Sequence, residues 1–567
     1  MTTSATGYSA AKAMMRSLFG RWQQETRLHR YVFYVVLLLG FALRLAYLFQ
    51  PVRLDEAIAY VDYARYPLSV ITTFYNAPGN HILHSIIVHF STIIFGNNPV
   101  ALRLPVFLCG ILVLPLTYIT FRRIATKEAG LVAMALAAVS SGLINYSTQA
   151  RGYMLQAAFL LGLVLVGLWL INTDSVKGWI AFTLLAIAGL YTVPTFLYFL
   201  PGVFAWVVLS RYFKHYDRRK LVRRSLISAG AICILTFLLY VPAILSSGTD
   251  TLLKGDVRYN PGIVRLTFAK FISQAPTNIR QIWLVHNVGV PFILSMILLA
   301  GFLLSVLLYK RVTKKAGYNL PLIMLFFMAL LYIAQRQAAY TRVFVPAIPL
   351  YLGFGSVGIC AAWALITEAA KKRTSFRLKP VIVYSTSFAL ILILVWSVVF
   401  LSQGPYQLSD TGDIGGTLRK GQAIVELLKK ELRPGDMVMA MPSVGIPILE
   451  YYFRENGIPL RYLMMTISKQ KDWEADNASF MNNNFTAYTR DKIKRAFYIV
   501  APHEQQGGMN LLAYITTYMG FDLSNFSDGE IIYDNDWATV YVAHRLRTEP
   551  LPKLINMYTP ESNWQEN

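Results

Sequence analysis

The 567-residue chain is short of charge. Asp, Glu, Lys and Arg make up 15% of it, against about 25% in an average soluble protein. Acids are the scarcer sign where the chain is most apolar: of thirty Asp and Glu, twenty lie after residue 401. Cysteine is almost absent. Cys109, Cys233 and Cys360 all sit in apolar runs, which excludes a disulfide-stapled secreted scaffold. No internal repeat at a fixed period is visible. What is abundant is apolar surface, with 55% hydrophobic residues and a mean hydropathy of +0.44. Such a chain can bury too much to be disordered and is too apolar for a soluble globule. A multi-span membrane protein remains. The net charge of +23 does not mark a nucleic-acid binder, because the basic residues of the first 400 positions fall in short runs between apolar stretches, as cytoplasmic loops do.

A span needs about 20 mostly apolar residues. The first is expected at 31–49, behind an arm (1–30) carrying Lys12, Arg16, Arg21, Arg27 and Arg30. That arm puts the N-terminus in the cytoplasm. No small-residue cleavage site follows a short apolar core, so the helix is expected to be retained. Further spans are expected near 100–121, 129–147, 154–171, 178–193, 195–210, 225–245, 288–309, 318–334, 343–367 and 380–400. The turn Thr192 to Pro194 predicts two short helices in place of one long one. His81 to Phe95 is apolar but short and holds three histidines, so it is read as a helix lying in the interface. With it excluded, Arg122, Arg123 and Lys127 fall inside, as do seven basic residues in 211–224, Lys310, Arg311, Lys314 and Lys315, and five in 371–379. That positive-inside pattern selects 11 spans, N-terminus in and C-terminus out.

Composition changes after Leu401. Residues 402–567 are polar and acid-rich. Ile424, Leu427, Leu428 and Leu432 mark one helical face, stopped by Pro434-Gly435. Strands are expected at 437–440, 496–501 and 537–543, and helices at 446–456 and 510–519. Alternating strand and helix signals predict a small external α/β domain. The fold class is therefore a polytopic α-helical membrane protein: a transmembrane domain (31–401) whose first external loop is 51–99, then the α/β domain.

The candidate chemistry lies at outer helix ends. The first external loop opens with Arg53-Leu54-Asp55-Glu56. A carboxylate there can take a proton from an attacking hydroxyl, or the pair can be an ordinary solvated acid pair. Tyr146 to Tyr153 ends the third span with Ala150-Arg151-Gly152-Tyr153, Arg342 precedes Pro346 at the tenth, and Arg103 opens the second in Arg-Leu-Pro. Arginine at a membrane surface either snorkels or clamps a phosphate. Together these groups suit transfer from a phosphate-linked donor. No acid lies inside an expected span and no inverted repeat is visible, which counts against an ion-coupled transporter.

The order of these features resembles a known family: one span, an Asp-Glu loop, Asn76-Ala-Pro-Gly-Asn-His81 before an interfacial helix, Arg103-Leu-Pro, Ala150-Arg-Gly-Tyr153, then Arg342 before Pro346. It is similar to the GT-C membrane glycosyltransferases, in the branch of the dolichyl-phosphate-mannose–protein mannosyltransferases and lipid A aminoarabinose transferases, over residues 31–400. The resemblance implies an inverting transfer of a sugar (EC 2.4 class) from a polyprenyl-phosphate carrier to a lipid, glycan or protein acceptor on the external face. It implies Asp55 as general base. Glu56 would orient the acceptor or, with His81, bind a divalent metal. Arg151 and Arg342 would hold the donor phosphate, with Arg103 and Tyr153 grouped beside them. The chain departs from its relatives at Ala77-Pro78-Gly79, where some have His-Pro-Pro, and it lacks the lysine of the aminoarabinose transferases. A different sugar is the implication.

Two other functions fit the composition: a polysaccharide ligase or polymerase using a diphosphate-linked glycan, and a transporter. His81 and His84 share a helix face three residues apart while His89 is turned away; interfacial histidines of this kind bond headgroups or backbone, or hold a metal. His503 reads as a loop histidine. Sequons at Asn477, Asn484 and Asn525 would carry glycans in a secretory protein, but the expected location is a bacterial inner membrane. Every group singled out for chemistry precedes residue 343, so residues 402–567 are expected to be separable from it.

Overall fold

The computed structural model describes residues 25–75, 79–173, 175–213, 217–249, 266–313, 316–336, 340–373, 421–441, 445–463, 494–500, 527, 529–535 and 538–544. The chain divides into two compact units. One comprises residues 1–48, 72–84 and 103–403; the other 49–71, 85–102 and 404–567. This division differs from the sequence-based one, because residues 51–71 and 85–99 of the first external loop group with the C-terminal part, while 72–84 group with the spans.

The first unit is helical. Its elements, with those of the loop between, are α1 (Arg27–Ala46), α2 (Leu54–Ile58), α3 (Leu68–Thr73), α4 (Ile82–Phe95), α5 (Pro99–Ile124), α6 (Lys127–Val139), α7 (Ser141–Ser147) and α8 (Tyr153–Asn172). There follow α9 (Val176–Thr192), α10 (Leu200–Tyr212), α11 (Arg218–Ser247), α12 (Phe268–His286), α13 (Phe292–Leu307), α14 (Leu320–Gln335) and α15 (Ile348–Arg373). Among the described residues six helices, or seven with the bent pair α6–α7, are long and apolar enough to cross a membrane; α4, α9, α13 and α14 are apolar but shorter. Ten of the eleven expected spans coincide with these helices. The eleventh, 380–400, lies outside the described residues, as do the helix expected at 510–519, His503 and the three C-terminal sequons.

Helix starts follow from short polar side chains. Thr26, Thr126, Ser175, Asp217 and Asn319 each accept a hydrogen bond from the backbone N–H three residues on, which satisfies one of the orphan donors of a first turn. Helix breaks follow from proline and serine. Ser140 ends α6 and caps α7, and the two helices meet at 61°. Between α9 and α10 a 3₁₀ segment, Pro194–Tyr198, replaces the α-helix, as the Thr-Val-Pro turn predicts.

Each break leaves carbonyls without a helical partner, and a polar side chain meets them. Tyr240 donates to the Leu190 carbonyl at 3.0 Å, and the Gln156 amide donates to Val193 at 2.9 Å and Gly189 at 3.3 Å. At the α6–α7 bend the donor is Arg44 of α1. It is fully buried and donates to Ala138 at 3.0 Å, Ala137 at 3.2 Å, its own Gly40 at 2.9 Å and the Ser147 hydroxyl at 3.1 Å. Gly110 of α5 permits this approach: a Cβ there would lie 2.1 Å from Ser147 Oγ. The core around these joints is aromatic and aliphatic, including Tyr118, Phe121, Phe182, Phe196, Phe199 and Trp206.

The second unit holds a four-stranded sheet in the order β1-β2-β4-β3, with β1 (Asp436–Met441), β2 (Arg495–Val500), β3 (Glu530–Asn535) and β4 (Ala538–His544). β1 and β2 are parallel, and the β2–β4 and β4–β3 pairs are antiparallel. A parallel pair needs a long crossover, and α17 (Gly445–Glu455) lies in that connection; α16 (Gly421–Glu431) precedes β1. Three of these strands and both helices fall where the sequence pattern puts them. β3 is an addition: Glu530-Ile-Ile-Tyr-Asp-Asn535 has little alternation to read, and its pairing is interrupted between Ile531 and Tyr533. Asp436 and Arg495 face each other across β1 and β2 and join at 2.7 and 3.0 Å.

Candidate active site

In the second unit the segment with the adjacent acids runs from Gln50 to Tyr66. Arg53 is the N-cap of α2, and its backbone N–H donates to Glu56 Oε2 at 3.0 Å. This is the returning half of a capping box. Its guanidinium donates to Gln50 at 2.8 Å. The two adjacent acids therefore differ. Glu56 is fully buried and closes the helix start, whereas Asp55 is half-buried. The residue types alone left that choice open; only the family resemblance assigned roles to the two. After α2 the chain widens into a π-helical turn, Ala59–Ala64, closed by Arg65 N–H to the Tyr60 carbonyl at 3.1 Å. Such turns re-aim neighbouring side chains and are frequent at functional sites. His89 Nδ1 donates to the Ala64 carbonyl at 2.8 Å, so this histidine is a backbone partner.

In the first unit three sequence motifs meet. Arg151 is buried, and its Nη1 donates to the Gly79 carbonyl at 3.1 Å, which orients the guanidinium. Gly152 N–H donates to His81 Nδ1 at 2.8 Å. Only glycine allows this approach, because a Cβ at 152 would lie 2.5 Å from Thr192 and 3.1 Å from that ring nitrogen. Tyr153 stands edge-on to His81 with centroids 5.1 Å apart, and Tyr146 edge-on to Tyr153 at 5.3 Å. Asn80, fully buried, donates to the Phe74 carbonyl at 2.9 Å. Arg342 stacks on Tyr340 with its guanidinium carbon 4.6 Å from the ring centre.

Electrostatics tie the motifs together. Burial holds His81 well below the usual histidine range, and the charges of Arg151 and Arg342 add to the effect, together with His84. Burial, then Arg151, pushes His84 down to about 3. Both imidazoles are neutral at physiological pH. His84 Nε2 is buried with no hydrogen-bond partner among the described residues. The phenol of Tyr75 is raised by burial and opposed by Arg151. The result is a buried cationic group with neutral hydrogen-bonding neighbours, a setting that favours an anion.

Two expected contributors sit differently. Arg103 is fully buried and donates to the Leu48 carbonyl at 2.7 Å, just beyond the end of α1. His81 and His84 are buried within the protein. The metal reading also fails a fit test. His81 accepts the Gly152 N–H at Nδ1, so its proton is on Nε2 and neither nitrogen offers a lone pair. Glu56 is engaged with the Arg53 backbone. Among the described residues no group of three or more His, Cys, Asp or Glu is placed to hold a metal. His84, Asn80 and Tyr75 are site residues that sequence reasoning did not assign. The signal available was the run Asn80-His81-Ile82-Leu83-His84, polar groups on one face of a helix start.

Residues 78–242 match the family described as dolichyl-phosphate-mannose-protein mannosyltransferase; the match spans α4 to most of α11 and includes His81, Arg103, Arg151 and Tyr153. ArnT from Cupriavidus metallidurans, solved bound to undecaprenyl phosphate, superposes with a TM-score of 0.52 at 12% identity over 90% of this chain and 97% of that one. The chain has the GT-C fold. This GT-C chain also superposes on the Archaeoglobus fulgidus oligosaccharyltransferase in its apo form, with a TM-score of 0.50 at 12% identity over 91% of this chain and 74% of that one. No curated protein matches it by sequence. The resemblance read from motif order is thus to a glycosyltransferase type whose fold this GT-C chain carries.

Proposed function

We propose that the chain is a glycosyltransferase that moves a sugar from a polyprenyl-phosphate carrier to an acceptor hydroxyl on the external face of the inner membrane. The observation that carries this reading is the convergence of buried Arg151, Tyr153 and two neutral histidines, inside the stretch that matches the mannosyltransferase family, with the half-buried Arg342 close enough for its charge to act on His81. The capture of undecaprenyl phosphate by a protein of the same fold supports a lipid phosphate as the anion.

The chemistry follows from the groups. Asp55 takes the proton of the acceptor hydroxyl. The acceptor oxygen forms a bond to the anomeric carbon from the face opposite the phosphate. The bond from that carbon to the phosphate oxygen breaks, and the configuration inverts. The carrier leaves as polyprenyl phosphate with one more negative charge, which Arg151 and Arg342 stabilise in a dry setting. A phosphate monoester is a good leaving group, so no acid is needed to protonate it. Neutral His81 and His84 suit this role, since they add hydrogen bonding without a proton to lose. We place the N-terminus in the cytoplasm and residues 402–567 outside, on 11 spans.

The test is binding of undecaprenyl phosphate to the purified full chain. Arg151→Ala and Arg342→Ala should each weaken it, by about 1.5–3 kcal/mol per lost charge-assisted contact, whereas Asp55→Asn should bind normally and not turn over. Unchanged binding in both arginine variants would move the phosphate elsewhere. Solute uptake without a new glycosidic bond would favour the transporter.

A further inference from the structure

We propose that α17 is the positioning element for Asp55, acting through Tyr452 and Glu450; this rests on the reading of Asp55 as general base. The segment that carries the base is held near both ends by this one helix, within one compact unit. At its start, the Val52 backbone N–H donates to the Tyr452 hydroxyl at 3.1 Å. Val52 is three residues before Asp55 and immediately precedes the N-cap of α2. At its end, Arg65 approaches Glu450 at 3.8 Å, and Glu450 is held in turn by Arg454 at 2.7 and 2.9 Å. Between these points Tyr60, on the π-helical turn, stands edge-on to Tyr451 with centroids 5.7 Å apart.

The anchors are specific. Tyr451, Tyr452 and Glu450 are all buried, so each polar group has given up water and needs its partner. Arg65 is fixed on its own side as well, with Nε to the Val61 carbonyl at 2.5 Å and its guanidinium 3.9 Å from the Tyr66 ring centre. A half-buried carboxylate on a five-residue helix has little intrinsic rigidity, because so short a helix is not stable alone. Its place must come from what holds its two ends. A base that is off by even about 1 Å loses much of its advantage. The C-terminal region thereby enters catalysis through geometry, without touching substrate, and it is not the separable appendage that the residue order implies.

Tyr452→Phe removes only the accepting oxygen, and Glu450→Gln keeps shape and removes charge. The full-length protein in nanodiscs should show faster hydrogen exchange over residues 49–66 in both variants, by roughly tenfold, with residues 145–155 unchanged. Binding of undecaprenyl phosphate should stay within about twofold, while transfer in membranes supplying the native donor and acceptor should fall in kcat by about tenfold at an unchanged donor KM. Unaltered exchange in both variants overturns the clamp. Faster exchange with unchanged kcat overturns its role in positioning. Loss of donor binding in step with kcat also overturns it, since that marks general unfolding. Asp55→Asn, measured beside them, separates the two claims: full transfer in that variant sinks the base assignment, whatever the exchange shows.

Discussion

The two units bury charge in opposite ways. In the helical unit the buried charges are arginines, and their partners are backbone carbonyls: Arg44 at Ala137 and Ala138, Arg103 at Leu48, Arg151 at Gly79, and Arg211 at Leu170 and Thr173. In the sheet-bearing unit the buried charges include acids, and their partners are arginines: Asp436 with Arg495 and Glu450 with Arg454. The cause lies in composition. The expected spans contain no acid, but proline, serine and bends break their helices and leave carbonyls that only a donor can satisfy. Guanidinium is such a donor and cannot lose its proton. The lesson is that a buried arginine in this membrane region is structural by default. Arg151 stands out because Arg342, His81, His84 and Tyr153 join it.

The sharpest way to break that distinction is to compare arginines. Arg44→Ala strips donors from a buried helix break and should destabilise the protein by about 3–5 kcal/mol, the cost of breaking a buried charged contact. Thermal unfolding in detergent would show it, with undecaprenyl phosphate affinity of the folded fraction unchanged. If Arg44→Ala weakened binding and spared stability, the structural default would be wrong.

Asp55→Asn comes next. Turnover should fall on the order of 10²-fold or more, with the melting temperature retained, since Asp55 is half-buried and the cap belongs to Glu56. Glu56→Gln sharpens the point: it should lower stability more than Asp55→Asn does. A Glu56 variant that folds normally and loses all turnover would exchange the two roles.

Gly152→Ala is a smaller step. The added methyl meets Thr192 and the His81 ring, and accommodating it should cost about 1–3 kcal/mol of stability. Its donor affinity should fall too, because the Gly152–His81 bond sets the Arg151 turn. Wild-type affinity there would detach His81 from the phosphate site.

The last effect, small per pH unit, is in pH. His84 titrates at about 3 when folded and near 6.5 when unfolded. The unfolded state therefore binds the extra proton between those values. Its contribution to stability is fully present above pH 6.5 and is lost as pH falls toward 3, by at most about 1.4 kcal/mol per pH unit. His84→Leu should flatten that acid limb in chemical unfolding between pH 6 and 4. An unchanged limb would mean that His84 is hydrated in solution.

Much of this was legible in the residues. Apolar runs of span length and the Thr192 to Pro194 break are local, so the sequence carries them. The strands at 437–440, 496–501 and 537–543 were legible through alternation and turn residues, while β3 was not, because its pattern is irregular. The motif order picked out Arg151, Arg342 and Tyr153; Tyr153 stands against His81, and the charges of Arg151 and Arg342 act on it. Only the family resemblance ranked the acid pair; the residue types did not, since Asp55 and Glu56 are chemically alike and only the fold of one turn tells the buried cap from the half-buried carboxylate.

By itself, then, the sequence determined that the chain is a broken-helix membrane protein with a polar C-terminal part, because hydropathy and helix-stop signals act over neighbouring residues. Tertiary structure alone decided the partners. Arg44 meets carbonyls about 90 residues away and Arg151 one 72 residues away, and Val52 meets a hydroxyl 400 residues on. Hydrogen bonds and burial depend on distance in space, which no local pattern of residue types encodes.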